Sequence, residues 1–508
     1  MNKLFSKAAA LACTAAMALN LTACSTVNTE TTAKQTQGTT ASVTQLSTET
    51  KTPKYIFLFI GDGMSYPQVQ STNYYLSALE NEGDILKSSS HLSFMNFPVS
   101  GSAQTYDSTS FCPDSASTAT SISTGHKTYS GTINMDETGT TAYETIAEKL
   151  KEQRDYNIGV ISSVNLNHAT PAAFYSHQVS RGNYYEIGQE LIESDFEYFA
   201  GGGLLSPTGK EEDQKDLYEL AAESGYTVVK TQAEAEKVNA DTEKVIIIDE
   251  HLADSDAMAY EIDRPEDAWS LADYVDKGIE VLDGDEGFFM MVEGGKIDWA
   301  CHANDAASTL WDTQALADAV DEAIEFYNEH PDETLILVTG DHETGGLTIG
   351  FAGTDYDTFL TNLENQKISY AKYDSDYVAK YKENGTSFED VLKDVESLFG
   401  LKTEGDADDT LVLTEYEKGV LKAAYDKTMS GSEEELNQQE YVLYGTYEPL
   451  TVTITHLLNN KSGISFSSYA HTGLPVPVFA KGAGQELFEG YYDNTDIYFN
   501  LAELTDVE

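Results

Sequence analysis

Five stretches of this chain are apolar almost without interruption and then stop abruptly at small or acidic residues. Tyr55-Ile56-Phe57-Leu58-Phe59-Ile60 runs into Gly61-Asp62-Gly63, Ile158 to Ile161 into Ser162-Ser163, and Lys244 to Ile248 into Asp249. Phe288 to Val292 ends on Glu293, and Leu335 to Val338 on Thr339-Gly340-Asp341-His342. A strand with one wet face alternates apolar and polar residues. An unbroken run is a strand covered on both faces, as in parallel sheets. Between the runs lie helical patterns such as Leu316, Val320, Ile324 and Tyr327, which share one face. Strands alternating with helices predict an α/β fold with a large, mostly parallel central sheet flanked by helices. In such sheets functional residues gather past the carboxyl ends of the strands. Asp62, Glu293 and Asp341 occupy that position, and three acids at three strand ends are the first sign of a metal site.

Pro113-Asp114-Ser115-Ala116-Ser117-Thr118-Ala119-Thr120, running on to Gly125, is built almost entirely of small side chains. They suit a helix packed closely on a sheet, with Gly125 as a left-handed stop. Ser115 then falls at or near the helix N-terminus, where free N–H groups and the dipole favour an anion. Alone, this is an ordinary capped helix. Metal-ligand residues elsewhere in the chain give Ser115 a chemical reading.

At 508 residues the chain can bury one large α/β core, and its start lies outside that core. Lys3 and Lys7 precede an Ala-rich apolar run from Ala8 to Leu19, followed by Leu21-Thr22-Ala23-Cys24. A basic start, a short apolar run and small residues before a cut read as a secretory signal. The run is too short to span a bilayer comfortably. The LTAC tetrapeptide resembles the lipobox of bacterial lipoproteins, which implies cleavage before Cys24 and lipid on its sulfur. Residues 1–23 are thus expected to be a lipoprotein signal peptide and residues 24–52, rich in Ser and Thr, a disordered tether. Residues 53–508 are expected to form the globular domain, outside the cytoplasm and anchored to the cell membrane by lipid, at its periplasmic face or on the cell surface. With Cys13 removed and Cys24 acylated, Cys112 and Cys301 remain. They are too few for a disulfide framework, and spacing leaves their pairing open.

A formal charge of −55 argues against a nucleic-acid-binding surface and against docking on anionic lipid heads. An anionic substrate then needs a locally positive site, which is possible because charges beyond roughly 8 Å are largely screened. Residues 351–450 differ in character. Thr386 with Glu389 predicts a capping box before Phe388, Val391, Leu392, Val395, Leu398 and Phe399, closed by Gly400. Thr414 with Glu417 repeats the signal before Val420, Leu421 and Ala424. The segment is expected to be a helical cap inserted into the domain. Asp406-Ala407-Asp408-Asp409 lacks the spacing of a calcium loop and reads as an acidic turn.

The densest cluster is Glu293-Gly294-Gly295-Lys296-Ile297-Asp298-Trp299-Ala300-Cys301-His302. Asp298 and His302, four apart, share one face of a helix, which lets a carboxylate and an imidazole grip one zinc. Asp341-His342 offers a second pair, and His471, in Ala470-His471-Thr472-Gly473, could complete a set of three around the first zinc. Four carboxylates (Asp62, Glu293, Asp298, Asp341) repel one another unless cations sit among them.

In their order, Asp62, Asp114-Ser115-Ala116, Arg181, Glu293–Asp298–His302, Asp341-His342 and His471-Thr472-Gly473 resemble the alkaline phosphatase family. The resemblance runs from roughly Pro53 to the C-terminus, apart from the helical segment. It implies an alkaline phosphatase-like fold and a phosphate monoester hydrolase working through a phosphoserine on Ser115. It also implies two zinc ions and one magnesium ion. Asp298, His302 and His471 would hold one zinc; Asp62, Asp341, His342 and Ser115 Oγ the other; Asp62, Thr170 and Glu293 the magnesium. Arg181 would clamp two phosphate oxygens, and with three divalent ions it would outweigh the four carboxylates and leave a surplus that attracts a phosphate dianion. Asp114, His168 and Trp299 would flank the site. His168 stands where some bacterial members carry aspartate near the third ion, and Trp299 where others carry Lys or His near the phosphate. His168 predicts weaker magnesium retention than in Asp-bearing relatives. The family is commonly dimeric, though no segment here identifies an interface.

Two other readings compete. A phosphodiesterase or sulfatase of the same superfamily is the first. Sulfatases carry a C/S-x-P-x-R signature that Ser115-Ala116-Ser117-Thr118-Ala119 lacks, and diesterases usually lack the third metal site, so Thr170 and Glu293 favour monoesters. A surface lipoprotein that binds phosphate or metal without turnover is the second. Its mark would be a missing nucleophile or ligand, and none is missing.

Overall fold

The computed structural model describes residues 52–508 apart from 84, 86–90, 407 and 432–435. The expected signal peptide, Cys24 and the tether up to residue 51 lie outside the described residues. The strands are, in chain order, β1 (Tyr55–Gly61), β2 (Val99–Gln104), β3 (Asn157–Asn165), β4 (Tyr198–Gly202), β5 (Thr227–Val229), β6 (Val245–Ile248) and β7 (Phe288–Gly294). They continue with β8 (Thr334–Gly340), β9 (Glu343–Thr344), β10 (Thr348–Ile349), β11 (Ile464–Ser465), β12 (His471–Thr472), β13 (Val476–Gly482) and β14 (Gly490–Asp493). Ten of them form one sheet in the order β14-β2-β13-β8-β1-β7-β3-β4-β6-β5. From β8 through β1, β7, β3, β4 and β6 to β5 every pairing is parallel, and only β13 runs against its neighbours. The expected mostly parallel α/β architecture is what forms.

The apolar runs are explained by where alternate side chains go. Ile56, Leu58 and Ile60 of β1 enter one core together with Phe289, Met291, Leu335 and Leu337. Tyr55, Phe57 and Phe59 enter the opposite core with Phe288, Met290, Val292, Ile336 and Val338. Each face is covered by helices, so neither set can be polar. Full burial of such side chains stabilises by about 1.5–3 kcal/mol each. Leu316 and Val320, on the helix Ala306–Glu329, close the second core.

Register then positions the chemistry. Ile60 of β1 pairs with Glu293 of β7 and Thr339 of β8, and Gly61 with Gly294 and Gly340. The three central strands therefore end flush, which puts Asp62, Glu293 and Asp341 on one rim. Gly340 leaves no alternative residue there, because a Cβ would lie 1.9 Å from the Met64 carbonyl oxygen.

Residues 351–450 carry the helices Tyr370–Tyr373, Ala379–Asn384, Phe388–Phe399, Glu415–Ser430 and Gln438–Tyr444. Their buried faces (Tyr373, Val391, Val395, Phe399, Leu421) share a core with Tyr75, Ala306 and Leu310 of the α/β body. Thr414 and Glu417 form the expected capping box. The cap of Phe388–Phe399 is Ser387, accepting from the Asp390 N–H, and not Thr386. Two overlapping hydroxyl–acid pairs stand one residue apart, and the later one is extended where the helix starts. Gly400 and Gly125 end their helices in the left-handed region, at φ 71 and 74°.

Candidate active site

The helix Ser115–Thr124 begins at the serine itself. Asp114 is its cap: one carboxylate oxygen accepts from the Ser117 N–H at 3.1 Å and from Ser117 Oγ at 2.8 Å. Ser115 thus occupies the first helical turn, with its side chain on the acidic rim. Its Oγ lies 3.2 Å from His342 Nε2 and 3.5 Å from Asp62 Oδ1.

Around this hydroxyl the structure gathers three groups of ligand atoms. In the first, His302 Nε2 lies 3.4 Å from Asp298 Oδ2, His471 Nε2 3.6 Å from Asp298 Oδ1, and the two imidazole nitrogens 3.1 Å apart. Nδ1 of His302 is 2.7 Å from the Tyr469 carbonyl and Nδ1 of His471 2.5 Å from the Pro113 carbonyl. A carbonyl oxygen only accepts, so each Nδ1 carries a proton, and in the neutral form that binds a metal each ring turns a lone pair on the other. Two lone pairs at that separation repel unless a cation lies between them.

The second group repeats the logic. His342 Nε2 lies 3.3 Å from Asp62 Oδ1 and 3.4 Å from Asp341 Oδ2. Thr344 Oγ1 donates its one proton to Asp298 Oδ1 at 2.5 Å, so it accepts from His342 Nδ1 at 3.3 Å. His342 then also presents a lone pair to carboxylates. In the third group Asp62, His168 and Glu293 each offer an atom within 4.8 Å of the others. Thr170 Oγ1 donates to Asp62 Oδ2 at 3.4 Å. Ser162 satisfies one oxygen of Glu293, while Oε1 is buried and has no partner among the described residues. A buried carboxylate oxygen without a donor is costly unless a cation meets it.

The electrostatics point the same way. Burial, reinforced by Asp341, Asp298 and Glu293, pushes Asp62 well above the usual carboxylate range. Burial raises Asp341 to about 8, with Asp298 adding to it. Burial also raises Glu293 to about 7, against the hydrogen bond from Ser162. Asp298 is the exception: burial opposes its ionisation, but in the metal-free chain positive charge taken up as protons by His302, His471 and His342 holds it below the usual range, a charge that a bound cation supplies in their place. Such a cluster is ionised together only when cations neutralise it. The residues present fit metal ions. Imidazole–carboxylate sets suit zinc, and the oxygen-rich third group suits a harder ion.

Arg181 stands at the edge of this cluster. Its Nη1 donates to Asp114 Oδ2 at 3.0 Å and its Nη2 to His168 Nε2 at 3.3 Å. Asp114 therefore ties the serine helix and the arginine to one carboxylate. Trp299 meets His168 edge-on, with ring centroids 5.9 Å apart. Every residue singled out in the sequence for this site is brought to it.

Several partners had no sequence signal. Thr344 bridges Asp298 and His342, Thr118 donates to Asp341 Oδ2 at 3.1 Å, and Ser162 holds Glu293. Glu343 is buried beneath them, accepting from Gln68 Nε2 at 2.8 Å, from the Gly346 and Leu347 N–H groups at 3.1 Å, and from Thr472 Oγ1. It locks β9 to β12, and so His342 to His471. Only the position of Thr344 two residues beyond His342, and of Thr118 one turn beyond Ser115, hinted at their roles. Cys112 is exposed and Cys301 buried against Gln68 and Thr309, so the two do not pair.

A model of the alkaline phosphatase family matches residues 53–507. Alkaline phosphatase 3 of Bacillus subtilis is 30% identical over 457 residues, covering 88% of this chain and 88% of the relative. The crystal structure of a cold-active alkaline phosphatase from a psychrophilic Shewanella superposes with a TM-score of 0.72 at 27% identity, over 89% of this chain and 99% of that one. A variant of the alkaline phosphatase from the Antarctic bacterium TAB5, with a histidine exchanged for glutamate and magnesium in its M3 site, gives 0.61 at 27% identity, over 90% and 99%. The chain belongs to the alkaline phosphatase family and is a phosphomonoesterase of that family.

Proposed function

We propose that the chain hydrolyses phosphate monoesters in two steps through a phosphoserine on Ser115, outside the cytoplasm. The observation that carries this reading is the single hydroxyl of Ser115, held at a helix N-terminus within 3.2 Å of the His342 lone pair. Asp298, His302 and His471 would hold one zinc, Asp62, Asp341 and His342 with Ser115 a second, and Asp62, Thr170 and Glu293 a magnesium ion. Bound there, the ions would supply the positive charge that favours an ionised serine, a departing alkoxide and an ionised water.

The rest is the work of the chain. Ser115 Oγ attacks phosphorus, aided by the free N–H groups of its helix. Arg181, fixed by Asp114 on one nitrogen and His168 on another, keeps further N–H donors on the same planar fork for two phosphate oxygens. Thr344 fixes His342 beside the nucleophile, and Ser162 fixes the Glu293 carboxylate. Water then attacks the phosphoserine from the side the alcohol has left. Two in-line displacements leave configuration at phosphorus retained.

The Asp62–His168–Glu293 group supports a third site weaker than one built with an acid at position 168. The TAB5 variant, which carries magnesium after a histidine became glutamate, agrees with that reading. The basic start, the apolar run and Cys24 support export and lipid anchoring. Acid quenching in excess inorganic phosphate, followed by peptide mass spectrometry, tests the mechanism. Phosphate on Ser115 is expected, with a loss of at least about 10³-fold in kcat/KM for Ser115→Ala. A Ser115→Ala protein of unchanged activity would overturn it.

A further inference from the structure

Lys296 lies between Glu293 and Asp298, and the chemistry derived above leaves it without a task. Its side chain is 0% exposed. An ammonium group in such a place is strongly disfavoured unless it is compensated. Here the compensation is specific: Nζ donates to Asp254 Oδ1 at 2.8 Å and sits over two aromatic faces, Tyr260 at 4.2 Å and Trp299 at 4.6 Å. A cation over an indole attracts most strongly when both are shielded from water.

The contacts continue from there in one line. Trp299 meets the His168 ring edge-on, His168 Nε2 accepts from Arg181 Nη2, and Arg181 reaches Asp114 at the cap of the serine helix. An indole can rotate about two side-chain bonds. One held by a buried cation cannot do so without exposing that cation's charge to a poorer environment. Trp299 in turn limits the His168 ring, whose nitrogen aims one arm of the guanidinium.

We propose that Lys296 and Asp254 form a positioning pair that fixes Trp299 and, through His168, orients Arg181 towards the phosphate. The proposal rests on reading Arg181 as the phosphate clamp. It concerns binding geometry, so it predicts a larger change in phosphate affinity and KM than in kcat.

The test is titration of metal-loaded enzyme with inorganic phosphate, together with steady-state kinetics on a nitrophenyl monoester. Lys296→Met is expected to weaken phosphate binding and raise KM roughly tenfold, with kcat within about threefold. Lys296→Arg should restore most of the loss. Asp254→Asn removes the counter-ion near the surface without opening a cavity, and is expected to shift affinity the same way. It decides the matter if Lys296→Met does not fold. In a Trp299→Ala background, Lys296→Met should add nothing. Unchanged phosphate affinity in Lys296→Met or, should that variant not fold, in Asp254→Asn overturns the proposal, as does an undiminished effect without Trp299. Arg181→Ala separates the two levels: if it leaves phosphate binding intact, the clamp reading itself fails. If it weakens binding while the Lys296 and Asp254 variants do not, only the positioning pair fails.

Discussion

The rim of the central sheet and the helix Glu415–Ser430 both carry acids, and they treat them in opposite ways. On the helix, Lys422 pairs with Asp426 one turn away at 2.6 Å, both side chains about half in water. Such a pair is local, screened and worth a few tenths of a kcal/mol. On the rim, Asp62, Glu293, Asp298 and Asp341 come from positions up to 279 apart (341 minus 62), all are buried, and Arg181 is the lone guanidinium among their described partners. With 85 acidic against 30 basic residues, the chain leaves most surface acids to the solvent, which tolerates them. The rim has no such recourse. Charge there must be met by ions, so acidity in one region is a surface property and in the other a binding site.

Experiments can break that contrast from its strong end to its weak one. Asp341→Asn removes a rim ligand and is expected to lower activity and metal affinity more than about 100-fold. Zinc content after dialysis, measured beside turnover, checks it. Thr344→Val leaves every ligand but frees Asp298 and His342 from their shared hydroxyl. A loss of about 10- to 100-fold in metal affinity is expected, with the fold intact by circular dichroism.

A chelated sample should show the rim's charges directly. In the metal-free chain Asp341 is raised to about 8 and Glu293 to about 7, chiefly by burial. Unfolding returns both to about 4, so the folded state holds the extra protons between those values. These two acids therefore contribute a stability to the chelated protein that is lost as pH rises from about 4 to about 8. Below about 6.5 the buried histidines His168 and His342, whose pKa values burial lowers, act the other way, so the net fall is expected from about pH 6.5 to about 8. The melting temperature of the chelated protein should drop over that range more steeply than that of the metal-loaded enzyme, and equal slopes would contradict the account. At the weak end, Lys422→Ala should change stability by less than about 0.5 kcal/mol and leave metal content alone.

The same contrast explains what was legible in the sequence. Unbroken apolar runs announced the parallel strands, because a strand buried on both faces has no polar letters to spare. Their flush ends made Asp62, Glu293 and Asp341 readable as one site. Asp298 and His302 were readable from helical spacing, and Ser115 from its small-residue helix. The groups that set proton positions were not readable. Tyr469 and Pro113 act through carbonyl oxygens, which every residue has. Thr344, Thr118 and Ser162 are common residues whose partners lie 46, 223 and 131 positions away. Thr386 and Ser387 look alike as caps, and backbone conformation selects the second. Lys296 reads as one more surface lysine until its burial is seen.

Anomalous diffraction at the zinc absorption edge, from crystals of the metal-loaded protein, tests the central claim most directly. The account predicts two strong peaks, one among Asp298, His302 and His471 and one among Asp62, Asp341 and His342, the second beside Ser115 Oγ. Fully active crystals with no anomalous peak at either place would contradict it.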